Sequence, residues 1–331
     1  MLSRVADSIY WMSRYVERAE NVARFVDVTL NLMLDMPDGS QHQWQPLIDT
    51  TGDTADYAKR YGPATQANVF HFLTFDTENP NSIVSCLRTA RENARSIREI
   101  ISSEMWEQIN QFYLTVNSAT AAQDAFQNAT EFFDKVKLTS HLFAGVTDAT
   151  MTHGEAWHFC QLGRLLERAD KTSRILDVKY YLLLPAASDI GTPYDDIQWA
   201  AVLRSASAFE MYRKKHGHIT PTGVVDFLLL DPEFPRAIQK CLNNARGALH
   251  AISGTPAGMF RNQAEQLLSQ LCSELAFANV DDIIAAGLHE YLDALQTKLN
   301  LIGQGIFETF FSHRLEPPAR KTRKRAGAHQ A

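Results

Sequence analysis

From Met12 to Leu30 the apolar positions Met12, Tyr15, Val16, Ala19, Val22, Ala23, Val26 and Leu30 recur at i, i+3, i+4 and i+7. That period turns one stripe of a helix toward a core. The same rhythm predicts helices over 82–101, 105–116, 130–143, 155–183, 199–212, 235–252, 263–277 and 280–311. Ser82, just behind Pro80, supplies a start signal for the first of these. Sustained period-two alternation is absent. The run DFLLLD at 226–231 is strand-like in composition, but Pro232 and Pro235 follow it. It reads as a loop or short helix whose apolar residues plug the core. The fold class that follows is all-α, a helical bundle.

The polar positions repeat as well. The segment RYVERAENVARFVDV, Arg14 to Val28, returns as RLLERADKTSRILDV, Arg164 to Val178, with seven of fifteen positions identical. Five of the seven are charged pairs: Arg14/Arg164, Glu17/Glu167, Arg18/Arg168, Arg24/Arg174 and Asp27/Asp177. Past a loop near Pro185 to Asp195 the offset becomes 155. FLTFDTENPNSIVSCLRTAR, Phe72 to Arg91, then matches FLLLDPEFPRAIQKCLNNAR, Phe227 to Arg246, at ten of twenty positions. The bundle is therefore expected to consist of two tandem, pseudo-symmetric repeats, 1–150 and 151–313, followed by a basic, disordered tail at 314–331.

On a helix, Arg14, Glu17, Asn21 and Arg24 share one face, with Arg18 and Asp27 at its edges, opposite the apolar stripe. Arg164, Glu167, Lys171 and Arg174 do the same in the second copy, flanked by Arg168 and Asp177. Three readings stand at this point. The stripes are solvated faces carrying helical ion pairs worth about 0.3–0.5 kcal/mol each. Or they form a buried ion network joining the halves. Or spare guanidinium donors bind an anion or a partner. A secondary cluster, Arg91, Glu92 and Arg95, has the spacing of a salt-bridged helix face.

Composition narrows the class. At 45% hydrophobic and 21% charged residues, the 331-residue chain is ordinary for a soluble globular protein. No apolar run approaches the ~18 residues of a membrane span. Cys86, Cys160, Cys241 and Cys272 form no CxxC, which fits a reduced, cytoplasmic chain. The segment Arg320 to Arg325 carries +5 while the remainder stands at −11 within a net −6. That acidic remainder argues against nucleic acid as a partner. Glu155 and His158 have Glu-x-x-His spacing, but no second copy exists, so neither a metal nor another cofactor is expected. No Walker loop, GxSxG or HExxH appears.

The opening MLSRVADSIYWMSRYVERAENVAR, the stretch NPNSIVSCLRTARENARSIREIISSEMWEQIN and the segment MTHGEAWHFCQLGRLLERADKTSR together resemble the bacterial alpha-E family. That family is an α-helical domain with a Glu-Arg motif, typically in tandem; the motif maps here onto Glu17-Arg18 and Glu167-Arg168. The resemblance implies a role in peptide synthesis or modification. It also implies working partners: circularly permuted ATP-grasp ligases, transglutaminase-like proteins and an amino-terminal-nucleophile-type peptidase. With no ATP site or nucleophile in its own motifs, the chain is expected to be an accessory or substrate-presenting component. The alternative is a free-standing enzyme in which Glu17 and Glu167 act as acid/base groups beside anion-binding arginines.

Overall fold

A computed structural model describes residues 1–34, 44–118, 121–182, 193–256 and 258–312. Among them there is no strand. The helices run α1 (Ser3–Leu34), α2 (Gln45–Thr51), α3 (Thr54–Arg60), α4 (Gln66–Thr74), α5 (Ile83–Ser96), α6 (Ser103–Val116), α7 (Ala121–Gln127) and α8 (Ala129–Thr150). They continue as α9 (Glu155–Leu182), α10 (Pro193–Ser205), α11 (Phe209–His216), α12 (Pro221–Leu229), α13 (Ile238–Ser253), α14 (Gln263–Ala276), α15 (Val280–Ala286) and α16 (Leu288–Ile306), with a π-helical turn at Phe307–Phe311. The basic segment Arg320 to Arg325 and most of the loop near Pro185 lie outside the described residues.

The two longest patterned segments become the two central helices, and α1 packs along α9 more extensively than any other pair. Helices α5 and α8 back α1, while α13 and α16 back α9. The short helices cross over: α2 packs on α9, and α10 packs on α1. The apolar stripe of α1 is sealed as its period requires, with Met12, Val16, Ala19, Val22, Ala23 and Val26 all buried. Leu162, Leu165, Leu166, Ala169, Ile175 and Leu176 do the same on α9. Each such large side chain contributes about 1.5–3 kcal/mol. Gly163 permits the closest approach of the two helices, since a Cβ there would collide with the carbonyl oxygen of Tyr10.

Local chemistry sets the boundaries. Ser82 accepts the Ser85 amide at 3.2 Å and starts α5; Thr65 and Thr220 cap α4 and α12 in the same manner. DFLLLD is the end of α12, and Phe227, Leu228 and Leu229 are buried. Two expected helices are broken. The segment expected at 199–212 stops at Ser205 and resumes at Phe209, because Ser207 takes a left-handed φ of 51°. The segment expected at 280–311 breaks at Gly287, where φ is 110°. The helix expected at 82–101 ends at Ser96. Apolar periodicity runs through both breaks and past the end at Ser96 because it records which residues face inward, not the backbone angle between them.

Candidate functional site

The charged faces of α1 and α9 are turned toward each other and buried. Arg18 on α1 reaches across to Glu167 on α9, with Nε 2.7 Å from Oε1 and Nη2 3.2 Å from Oε2. Arg168 on α9 returns the grip to Glu17, at 2.9 and 2.8 Å. Each Glu-Arg dipeptide therefore offers its carboxylate to the arginine of the other and its arginine to the carboxylate of the other. Glu17 is 2% exposed and Glu167 0%. Bidentate guanidinium–carboxylate pairs fix relative orientation as well as distance. The consecutive positions make the reciprocity possible: the two residues of each dipeptide leave the helix about 100° apart, one meeting the partner's carboxylate and the other its guanidinium.

The halves complete the grip differently. Around Glu167, Arg14 donates from Nε at 2.7 Å, Lys171 lies 3.6 Å away, and Arg18 also donates to Asn81 at 2.8 Å. Around Glu17, the second cation is Arg236, 3.2 Å away; it also reaches Asn21 at 3.3 Å and bonds Glu20. Asn81 and Arg236 are matching positions at the 155-residue offset. Where the first segment has an amide the second has a guanidinium, which bonds the Glu17 oxygen that Arg168 Nε also bonds, whereas Arg14 bonds the Glu167 oxygen that meets Arg18 Nη2. Arg164, the match of Arg14, is left with Gln161 Oε1 at 2.5 Å, and its buried Nε has no partner.

Outward along the helices the pattern continues. Arg24 bonds Glu20 at 2.7 Å and also the Ser207 hydroxyl. Arg174 bonds Asp170 at 3.0 Å and reaches the Thr50 carbonyl at 3.4 Å. Arg24 thus ties α1 to the turn that follows α10, and Arg174 ties α9 to the last turn of α2. Asp27 holds Lys137 of α8 at 2.8 Å, and Asp177 holds His289 of α16 at 2.7 Å. The bond to Asp177 raises the His289 pKa. Nine of the ten duplicated charges are paired in this interface and its flanks; Arg164 is the exception. Arg91, Glu92 and Arg95 are not part of it: Arg91 bonds Asn110 and Glu92, Arg95 bonds Glu92, and the group forms a half-exposed face of α5.

Electrostatics keep the carboxylates ionised. Burial alone pushes Glu167 up, but Arg18 and Arg14 outweigh it and hold the carboxyl well below the usual range. Burial opposes ionisation of Glu17 too, and Arg168 and Arg236 overcome it. Asp170 is held at about 2, with Lys171 and Arg174 outweighing burial. Arg236 is lowered to about 10 by burial despite Glu20. Cys86 and Cys241, beside the clasp, are pushed by burial up to about 12 and about 11, so both thiols stay protonated. Carboxyls held this low are ionised at neutral pH and cannot act there as proton donors.

Repeat matching finds identical residues, so it passes over Glu20 and Asp170, both buried and both carboxylates of the network. Searching for equal charge rather than equal identity would have found them. Arg236, His141 and Ser140 carry no such signal, since nothing in the sequence places them beside Glu20, which they bond. Among the described residues no group of three or more His, Cys, Asp or Glu is placed to hold a metal ion. Among the same residues no helix is long and apolar enough to cross a membrane.

Comparison with known proteins agrees with this geometry. The model of the Alpha-E family, described as "a predicted alpha-helical domain with a conserved ER motif", matches residues 1–311. Uncharacterised proteins of Mycobacterium bovis and Mycobacterium tuberculosis are 22% identical over 313 residues, covering 88% of this chain and 34% of their own length. The chain thus spans about a third of the length of the curated relatives it matches. No solved structure matches it.

Proposed function

The chain belongs to the Alpha-E family, and on that premise we propose that it is an accessory, substrate-presenting component of a bacterial peptide synthesis or modification system. It works beside a circularly permuted ATP-grasp ligase and a transglutaminase-like protein rather than as a free-standing enzyme. The observation that carries this reading is the reciprocal clasp. The Glu-Arg residues are spent on holding α1 against α9, with Glu17 and Glu167 at most 2% exposed. Such a network specifies one relative placement of two helices more than it adds stability. A rigid, precisely oriented helical body suits presentation of a partner or substrate.

Two further observations support it. In the mycobacterial relatives the matching region occupies 34% of a longer chain, the arrangement of a module joined to others. All four cysteines are free and buried, which fits work in the reducing cytoplasm. The test is to mix the purified chain with the ATP-grasp ligase and the transglutaminase-like protein of its own system. Association and a change in ligase turnover are expected. Absence of binding together with unchanged turnover, or conversion of a peptide substrate by the chain alone, would contradict the reading.

A further inference from the structure

Substitution of Asn81 in the first copy by Arg236 in the second leaves a cation over. Glu17 and Glu20 are both engaged by Arg236, and they also bond Arg168 and Arg24 respectively. Among the described residues Arg164 therefore has no carboxylate within ion-pair distance; its one hydrogen bond among them is to the Gln161 amide oxygen, and its Nε is buried without a partner. Around this point four guanidinium groups, Arg24, Arg164, Arg168 and Arg236, face two carboxylates. The Arg164 side chain is only partly buried, but its Nε–H is buried without a partner, which is costly unless something completes it.

What it faces is a cavity between α1, α8 and α9, lined by Arg164, Arg168, Gln161, Ser13, Ser140 and His141 among others. Its volume is about 30 Å³, room for about two water molecules. That is a small space, which limits an entering anion to a compact head group. The His141 side chain is 54% exposed and marks the rim toward solvent. The two acids in the lining are already neutralised: Glu20 is held well below its usual range by Arg236, against burial, and Glu17 is lowered by Arg168, also against burial. Neither carboxylate is within hydrogen-bond reach of Arg164, although the Glu17 charge acts on it from farther away.

We propose that Arg164, with the Gln161 amide beside it, binds the carboxylate of a peptide, inserted past His141 with the rest of the ligand outside. The planar head would meet the free Nε–H edge of Arg164, the same edge by which Arg14 holds Glu167 in the other copy. The carboxylate's identity as a peptide's rests on the function proposed above; the anion site itself does not.

The site is tested by calorimetric titration of the full chain with acetate, with inorganic phosphate, and with acetyl-Ala-Ala bearing either a free C-terminal carboxylate or an amide. Saturable binding of acetate and of the free-acid peptide is expected, with no binding of the amide or of phosphate. Arg164→Gln should weaken binding at least tenfold. Gln161→Glu should abolish it while raising the melting temperature, because it supplies the missing counter-charge internally; this variant decides the matter if Arg164→Gln does not fold. Equal binding of acid and amide overturns the proposal, as does no saturable binding of either acid, or a Gln161→Glu protein that binds as before. If partner association fails while acetate still binds, the function reading falls and the anion site stands. The reverse result removes the site alone.

Discussion

Arg18 on α1 grips both oxygens of Glu167 on α9, at 2.7 and 3.2 Å, while its own neighbour Glu17 is gripped by Arg168. The motif's two residues do not pair with each other; they pair with their counterparts. The unit of meaning is thus the crossed pair, and a single Glu-Arg copy would leave both a carboxylate and a guanidinium uncompensated in the core.

Removing one charge should therefore cost far more than a surface pair would. Glu167→Gln leaves Arg14 and Arg18 buried without their anion, and a loss of about 3–5 kcal/mol is expected. Chemical unfolding of the variant against the parent measures it. A loss within about 0.5 kcal/mol, the range of a surface substitution, would show that the clasp is not under strain of compensation.

Acidification should loosen the structure from the same place. Asp170 stands near 2 in the fold against about 3.9 in an unfolded chain. A depressed carboxyl adds stability that is present above the unfolded value and lost as pH falls toward the folded one. For Asp170 alone that is about 2–3 kcal/mol, and Glu167 and Glu20 shift in the same direction. Urea unfolding at pH 7, 5 and 3 should show the loss concentrated below pH 4. Asp170→Asn should flatten that acid limb.

Close approach of the central helices should be sensitive at one position. An added methyl at Gly163 meets the backbone of Tyr10, which cannot swing aside as a side chain can. Gly163→Ala should cost about 1–3 kcal/mol as overpacking, despite the better helix propensity of alanine. Gly145 on α8 has open space around it, so Gly145→Ala should be neutral or stabilising, and thermal unfolding of the two variants against the parent checks both.

How much of this was legible in the sequence follows from what each signal records. The long helices α1 and α9 were legible because their apolar positions keep one period over many turns. The duplicated charges were legible as one face per helix. That the two faces meet was left open among three readings, because periodicity gives an angle on one helix and nothing about its neighbour. The breaks at Ser207 and Gly287 were hidden, since a positive φ leaves no mark on hydrophobic spacing. Arg236 was hidden for a different reason: its matching residue is Asn81, so a search for repeated identities discards the position that makes the two halves unequal.

The crossed pairing is tested most directly by a pair of double-mutant cycles on unfolding free energy. One combines Glu17→Gln with Arg168→Gln, across the motifs; the other combines Glu17→Gln with Arg18→Gln, within one. A reciprocal clasp predicts a coupling of about 1–3 kcal/mol across the motifs and about 0.5 kcal/mol or less within one. Equal couplings, or a larger one within the dipeptide, would contradict it.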